Sequence, residues 1–282
     1  MPPAAWTPPL AVSTAVFAGA LDDAQWDALD ASEVQAVEIV GPAPRLPLDD
    51  PDCYRRTEGR LRRARVRLHS VHLPYGQALD LSQPDDAARE AALAATARNV
   101  RLAADLGAKL VVVHPSAEPI PDAERAARLD AARRSLAALT GVAAQAGVRV
   151  AVECLPRTCL GNTAAELRSI VDPLDAAAGV CLDVNHLNLR EPDIAAAVAA
   201  LAPRLLTLHC SDNDGVDERH WLPGAEGGVV DWTAFLGALR ANGYGGPFLY
   251  EVRAPDPDPA VALRAVEDNY RRLLATHGPA PA

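Results

Sequence analysis

The sequence predicts an α/β protein, a single (β/α)8 TIM barrel that spans residues 1–282. Short apolar runs recur eight times along the chain, and helix-like segments separate them. The runs are continuously apolar, which is typical of parallel strands that are buried on both faces. No linker divides the chain, and barrels of this type often run to about 250 residues. We expect loose tails at about residues 1–9 and 278–282.

Each predicted strand is a run of aliphatic residues that leads to a polar group or a proline. The runs begin, in chain order, at Leu10 (LAVSTAVF), Gln35 (QAVEIVG), Arg65 (RVRLHSVHLP), Lys109 (KLVVVHP), Val148 (VRVAVECLP), Gly179 (GVCLDVNH), Leu205 (LLTLHCSD) and Pro247 (PFLYEVR). Side chains alternate along a strand, so residues two positions before the polar ends face the barrel interior as well. These interior positions are Ser70, Val112, Ala151, Cys181, Thr207 and Leu249. They are mostly small, which leaves room for a polar site above them, whereas Cys154 and Cys210 would face the helices.

The segments between the strands carry helix start and stop signals. Thr163 and Glu166 have the spacing of a capping box. Gly107 and Gly147 end the two longest segments, and Thr140 with Gly141 should weaken the middle of the second. These two segments cover residues 86–106 and 122–146, and further predicted helices cover residues 22–30, 192–201, 232–242 and about 258–276.

Composition and charge exclude several classes of function. The net charge is −10, which argues against a nucleic-acid groove, and the arginine-rich segment from Tyr54 to Arg67 is interpreted as a solvated helix face. The single lysine, Lys109, begins a strand at the end of the barrel opposite the predicted site, which argues against Schiff-base chemistry. The five cysteines show no CxxC spacing, and no apolar run is long enough to span a membrane. A cytoplasmic protein is therefore expected.

Four polar residues end apolar runs: Glu153, Asp183, His209 and Glu251. A charge in such a position is costly unless it binds a metal or a partner. Active sites of barrels lie at the carboxyl ends of the strands, where four further histidines fall, namely His72, His114, His186 and His220. His69 and His277 are interpreted as structural. Glu38, on the second strand, faces either the pocket or the outside.

Seven segments cover the chain from the third predicted strand to the eighth: SVHLPYG, VVVHP, VAVECLP, CLDVNH, LHCSDNDG, ERHWLPGAEGGVVDW and FLYEV. In order and spacing they resemble the xylose-isomerase-like barrel superfamily. That superfamily contains sugar-phosphate isomerases and epimerases, ketose 3-epimerases, inosose dehydratases and endonuclease IV. The resemblance therefore implies a family of related activities.

By this resemblance, Glu153, Asp183, His209 and Glu251 hold one divalent ion, and Mn²⁺, Mg²⁺, Co²⁺ and Zn²⁺ all suit these ligands. The implied activity is a sugar, sugar-phosphate or polyol isomerase or epimerase. Glu153 and Glu251 form its acid/base pair, and the reaction passes through an enediolate that the metal stabilises. His186 and Arg219 would hold substrate oxygens. Many relatives are dimers or tetramers, so a homo-oligomer is compatible with the resemblance.

Three alternatives stay open. One is a metal-dependent dehydratase or lyase of the same superfamily. Another is a multinuclear zinc hydrolase similar to endonuclease IV, in which the outer histidines would bind two or three zinc ions. In that family an aspartate lies two residues before the last of these histidines, whereas this chain has Glu218 there and Asp217 one residue earlier. The third is a catalytically inactive barrel that serves as a binding protein.

The segment after the seventh strand, residues 211–232, is long and rich in glycine and polar groups. Its Pro223–Gly227 stretch resembles the superfamily's PGxG turn. A loop of this kind is able to cover the mouth of a barrel and exclude water.

Overall fold

Eight parallel strands form the centre of the molecule. The structure is a computed structural model that describes residues 6–19, 21–41, 50–254 and 256–277. The strands are β1 (Leu10–Ser13), β2 (Ala36–Val40), β3 (Arg67–His72), β4 (Leu110–Val113), β5 (Arg149–Glu153), β6 (Ala178–Asp183), β7 (Leu205–His209) and β8 (Phe248–Tyr250). Seven of them fall within predicted runs, and β6 begins one residue before its run.

The strands pair in the order β7-β6-β5-β4-β3-β2-β1-β8. The barrel is closed by contacts between Cys210, just after β7, and β8. The amide of Cys210 donates to the carbonyl of Leu249 at 2.8 Å, and the amide of Glu251 donates to the carbonyl of Cys210 at 3.2 Å. The predicted (β/α)8 TIM barrel is therefore confirmed.

Helices surround the strands on the outside. They are α1 (Asp23–Ala31), α2 (Pro51–Leu61), α3 (Asp86–Asp105), α4 (Arg125–Gln145), α5 (Ala164–Val171), α6 (Val184–Asn188), α7 (Ile194–Leu201), α8 (Trp232–Ala241) and α9 (Pro259–His277). The short α6 was not predicted, because five residues carry too little periodic pattern to be recognised. The first part of the arginine-rich segment lies in α2, as predicted, and Arg62 directly after this helix pairs with Glu58 at 2.7 Å.

Two local predictions differ in detail from the structure. The expected weak point at Thr140 and Gly141 is absent, because α4 runs through it and the Thr140 hydroxyl donates to the Leu136 carbonyl at 2.7 Å. Thr163 caps α5 by accepting from the amide of Glu166, as predicted. The Glu166 carboxylate does not complete the capping box; it accepts instead from Arg125 and from the amide of Gly161.

The interior of the barrel and the layer under the helices form separate apolar clusters. Ala151, Cys181 and Val112 pack inside the barrel with Leu110, in agreement with the predicted small layer. Cys154 and Cys210 belong to the main core between strands and helices, as expected. The barrel floor is therefore closed below the carboxyl ends of the strands.

The predicted tails lie partly outside the described residues. Residues 1–5 and 278–282 belong to that undescribed part. Within residues 6–9, the indole of Trp6 donates to the carbonyl of Tyr244 at 2.9 Å. No helix among the described residues is long and apolar enough to cross a membrane.

Candidate metal centre and active site

The four polar residues that end the apolar runs converge at one end of the barrel. Glu153, Asp183 and His209 are the last residues of β5, β6 and β7, and Glu251 directly follows β8. Asp183 and His209 are register partners on adjacent strands. Each of the four offers one ligand atom, and these atoms all lie within 4.8 Å of one another.

Three carboxylates surround one nitrogen of His209. Its Nδ1 lies 3.2 Å from Oε2 of Glu251, 3.3 Å from Oε1 of Glu153 and 3.8 Å from Oδ2 of Asp183. Asp183 and His209 have no exposed surface, and the Glu251 side chain is 13% exposed. Buried carboxylates this close to one another repel strongly unless a cation lies between them.

The pKa values of these three carboxyl groups reflect both their burial and their charged neighbours. Burial, together with the neighbouring acids, raises the pKa of Asp183 to about 7. Burial also disfavours the charged forms of Glu153 and Glu251, but the adjacent histidines lower the pKa of both carboxyls. Oδ2 of Asp183 is buried and makes no hydrogen bond to any described residue. This orphaned oxygen and the three-carboxylate, one-imidazole donor set fit a divalent ion.

Two further predicted histidines contact Glu153 from its other side. Nε2 of His72 lies 2.9 Å from Oε2 of Glu153, and Nε2 of His114 lies 3.0 Å from the same oxygen. Although burial opposes the charged imidazole, the hydrogen bond to Glu153 raises the pKa of His72 to about 9. Burial lowers the pKa of His114. The two imidazoles therefore differ in their tendency to become charged, although both lie against the same oxygen of Glu153.

A second cluster lies above the four-residue centre. His186, at the start of α6, places Nδ1 3.3 Å from Oδ2 of Asp183 and Nε2 3.0 Å from Oε2 of Glu218. Burial opposes ionisation, yet Asp183 and Glu218 raise the pKa of His186 to about 10, while His186 lowers that of Glu218 to about 2. His220 joins them, and the three residues offer ligand atoms within 4.8 Å of one another.

One buried carboxylate organises the loop that carries this cluster. Asp212 accepts hydrogen bonds from the amides of Gly224, Val229 and Val230 and from the indole of Trp232, at 2.8–3.2 Å. A Cβ on Gly228 would lie 2.5 Å from a carboxylate oxygen of Asp212, so only glycine fits there. The predicted loop is thus held by Asp212, and its residues Glu218 and His220 line the cavity of the site.

The chain shares its sequence pattern with a known protein family. Residues 26–273 match the family described as xylose isomerase-like TIM barrel. The chain belongs to this family. The resemblance inferred from the sequence motifs is therefore confirmed, and the centre described above lies within the matched region.

Two curated relatives of this family member are sugar epimerases. A ketose 3-epimerase of Arthrobacter globiformis is 28% identical over 197 residues, which cover 66% of either chain. A 3-dehydro-D-guloside 4-epimerase of Escherichia coli is 33% identical over 133 residues, or 46% of this chain and 48% of the enzyme. The chain thus aligns with just under two thirds of the first relative and about half of the second.

Solved structures share the fold along nearly the whole chain. A D-tagatose 3-epimerase-like protein has a TM-score of 0.80 at 22% identity, covering 95% of this barrel and 98% of that chain. The IolI protein with a bound zinc atom also has a TM-score of 0.80, at 17% identity and with 96% and 99% coverage. Because the sequence identities are this low, the structural similarity establishes the fold of this family member and nothing further.

A cavity of about 300 Å³ lies directly over the four-residue centre of this family member. The predicted residues that line it are His72, His114, Glu153, His186, His220 and Glu251. Asp183 and His209 lie beneath its floor. A volume near 300 Å³ is at the lower end of the range for ligand pockets, so the space suits a small molecule.

Arg219, which was expected to hold substrate oxygens, does not line this cavity. Its guanidinium pairs with Asp214 at 2.7 Å and is 43% exposed. The arginines that line the cavity are Arg157 and Arg253, which sequence reasoning missed. Arg157 follows the β5 end by four positions, so only its place after a barrel strand could have indicated it.

Tyr75 is the other missed residue at the mouth. Its ring stacks on His114 at a centroid distance of 4.0 Å, and half of the residue is exposed. The motif SVHLPYG that revealed His72 contains this tyrosine, so the signal was present in the sequence. Its ring adds an aromatic face to a cavity whose lining also includes the apolar residues Leu155 and Pro156.

Proposed function

We propose that this chain is a divalent-metal-dependent sugar epimerase, or an isomerase of the same reaction type. The observation that carries the proposal is the placement of two glutamates, Glu153 and Glu251, beside one imidazole nitrogen in the cavity floor. Both line the cavity, so both are able to reach a substrate carbon. The family and the two epimerase relatives support this class of activity.

The metal site of the proposal consists of Glu153, Asp183, His209 and Glu251, with one Mn²⁺, Mg²⁺, Co²⁺ or Zn²⁺ ion. The orphaned oxygen of Asp183 and the short distances between carboxylates support it. A bound ion would supply Lewis-acid polarisation of the substrate carbonyl or hydroxyl.

The acid/base roles of the proposal belong to Glu153 and Glu251. One removes the proton from a substrate carbon, and the other returns a proton to the opposite face, through an enediolate. His72 and His114 both contact Oε2 of Glu153, so they hold this carboxylate in place. His186 lines the cavity wall with its Nε2 against Glu218, so this pair forms a polar surface beside the space for a substrate.

A neutral, unphosphorylated sugar fits the charge of the cavity best. Four carboxylates line it, those of Glu118, Glu153, Glu218 and Glu251. Of the two lining arginines, Arg157 is already engaged with Glu118, Glu218 and Asp217, which leaves Arg253 as the one lining arginine without an ion pair to a described residue. A phosphate would have to approach these carboxylates at close range, where like charges repel.

A second function has one observation in its favour. His186, Glu218 and His220 form a ligand set above the proposed single-ion site. If they bound a second ion, the site would resemble a multinuclear hydrolase more than an epimerase. Metal content per chain separates the two proposals: one ion supports the epimerase, and two or three zinc ions support the hydrolase.

The decisive experiment incubates the metal-loaded protein with D-fructose, D-tagatose or a 3-keto-D-glucoside in D2O. An epimerase yields a new epimer that carries one carbon-bound deuterium, and removal of the metal by a chelator abolishes the exchange.

Glu251→Gln should abolish exchange while it leaves the fold intact. Glu226→Gln, on the exposed part of the loop, is the matched control. Deuterium exchange that persists in Glu251→Gln would remove Glu251 from the acid/base role, and cleavage of abasic duplex DNA by the wild type would favour the hydrolase.

A further inference from the structure

A fourth carboxylate lies inside the barrel, on the side of His209 that faces away from the three acids. Glu38 is on β2 and has no exposed surface. Ala36, two residues earlier, belongs to an apolar cluster with Ala11 and Leu249. Side chains two apart on a strand share a face, so Glu38 points into the barrel. The ambiguity that its sequence position left is thereby resolved.

Glu38 contacts His209 and one serine. Its Oε1 lies 3.0 Å from Nε2 of His209, and its Oε2 accepts a hydrogen bond from the Ser70 hydroxyl at 2.7 Å. The approach to Nε2 is off the ideal hydrogen-bond direction. Neither Oε1 of Glu38 nor Nε2 of His209 has a hydrogen-bond partner in the described part of the chain. The 3.0 Å contact between them is the one ion pair that either atom makes with a described residue.

The two ring nitrogens of His209 thus face different environments. Nδ1 faces Glu153, Asp183 and Glu251, the residues of the proposed metal site. Nε2 faces Glu38 alone among the described carboxylates within 4.0 Å. Glu38 is thus the carboxylate that lies on the Nε2 side of the ring.

We propose that Glu38 is a positioning residue that fixes the tautomer and orientation of His209 so that Nδ1 binds the metal ion. This inference rests on the proposed metal site. A carboxylate next to Nε2 favours the tautomer that carries its proton there, which leaves the Nδ1 lone pair free. Ser70 in turn holds the other oxygen of Glu38, so the chain of contacts runs from Ser70 through Glu38 to His209.

Glu38 is not a ligand itself. It belongs to neither of the ligand groups that contain His209. A purely structural role would be to fill the barrel and neutralise a charged imidazole. That role predicts a loss of stability without a change in the metal site, whereas a positioning role predicts weaker metal binding in a folded protein.

The test measures Zn²⁺ affinity by competition with a fluorescent chelator, for the wild type, Glu38→Gln and Glu38→Ala. Loss of a carboxylate that supports a metal-binding histidine costs roughly 10- to 100-fold in affinity, and we expect this for Glu38→Ala. Glu38→Gln keeps an acceptor oxygen without the charge and should lose less. Glu267→Gln is the matched control, because Glu267 is also buried and accepts from a backbone amide far from the site. It should bind Zn²⁺ as the wild type does.

A spectroscopic readout separates positioning from packing. In the zinc-loaded protein with ¹⁵N-labelled histidine, His209 should carry its proton on Nε2, and Glu38→Ala should reduce or broaden this signal. The inference would be overturned if a folded Glu38→Ala protein kept both the Zn²⁺ affinity and the His209 signal of the wild type. If the wild type binds Zn²⁺ and Glu38→Ala weakens it, the inference stands even where no sugar is epimerised. A wild type that binds no divalent ion would overturn it together with the metal site.

Discussion

The inner centre and the outer cluster of this site are built in different ways. Glu153, Asp183 and His209 end three neighbouring strands, and all three are almost completely buried. The register pairs Asp183 with His209 directly and pairs Glu153 with Cys181, two residues before Asp183. Glu218 and His220 lie on the loop between β7 and α8, and both are partly exposed. The strands fix the inner groups through many backbone hydrogen bonds, whereas the outer groups depend on one loop. In a barrel family, the residues that carry the shared chemistry are expected at the strand ends, and the residues that select the substrate are expected in the loops.

The difference also appears in the charges. The inner carboxylates lie against one another, and the pKa of Asp183 is raised to about 7. The outer carboxylate, Glu218, lies between His186 and Arg157, and His186 lowers its pKa to about 2. The inner centre therefore has an excess of carboxylates that a bound cation would balance, whereas Glu218 in the outer cluster already lies against an imidazole and a guanidinium.

The largest expected effect is the loss of an inner glutamate. Glu153→Gln removes a proposed ligand charge and one member of the acid/base pair. General acid–base groups contribute roughly 10²- to 10⁴-fold, so kcat/KM for epimerisation should fall by at least about 10³-fold. Steady-state kinetics with each of the three sugars measures it, with Glu226→Gln as the control. A loss below tenfold would contradict the assignment of Glu153.

Metal binding by the inner centre should depend steeply on pH. Below pH 7 the carboxyl of Asp183 is protonated, because burial raises its pKa to about 7, and an ion must displace that proton. His209 adds a second competing proton, since nearby acids raise its pKa well above the usual value despite burial. Apparent Zn²⁺ affinity should therefore rise about tenfold or more per pH unit from pH 5.5 to 7. Titrations at several pH values, with the released protons counted, measure this slope; a flat profile would argue against Asp183 as a ligand.

A change in the outer cluster should have a smaller and different effect. Glu218→Gln removes the charge that holds His186, and a hydrogen bond between charged groups is worth about 1.5–3 kcal/mol, or roughly 10- to 100-fold. We expect this loss mainly in KM, with one ion per chain still bound and the pH slope of metal affinity unchanged. Loss of an ion from a two-ion wild type would instead support the hydrolase.

The smallest expected effect concerns the support of the outer loop. In Gly228→Ala the new Cβ would lie 2.5 Å from the Asp212 carboxylate, so the loop must shift. Overpacking of this kind costs about 1–3 kcal/mol in the free energy of unfolding. Denaturant titration measures the stability. Zn²⁺ affinity should stay the same if the inner centre is independent of the loop, whereas a parallel loss of affinity would show that the two regions are coupled. Gly237→Ala, on α8 with open space around its Cβ position, is the matched control.

The strands and the inner centre were predictable because their signals are local. A run such as VRVAVE combines burial on both faces with a terminal acid, and both features can be read within six residues. Helix α6 was missed because it has only five residues, and Arg219 was expected in a cavity that Arg157 lines instead. The direction of a loop side chain depends on partners distant in sequence, such as Asp214 for Arg219, so no local pattern indicates it.

The sequence by itself determined the alternation of strands and helices, the polar residues that end the strands, and hence the family. These follow from periodicity and from the high cost of a charge next to a buried strand. Only the tertiary structure decided that Glu38 faces Nε2 of His209, that His72 and His114 share one oxygen of Glu153, and that Glu218 joins His186. Each of these contacts joins residues more than 30 positions apart, and their geometry is set by how the closed barrel and its loops pack.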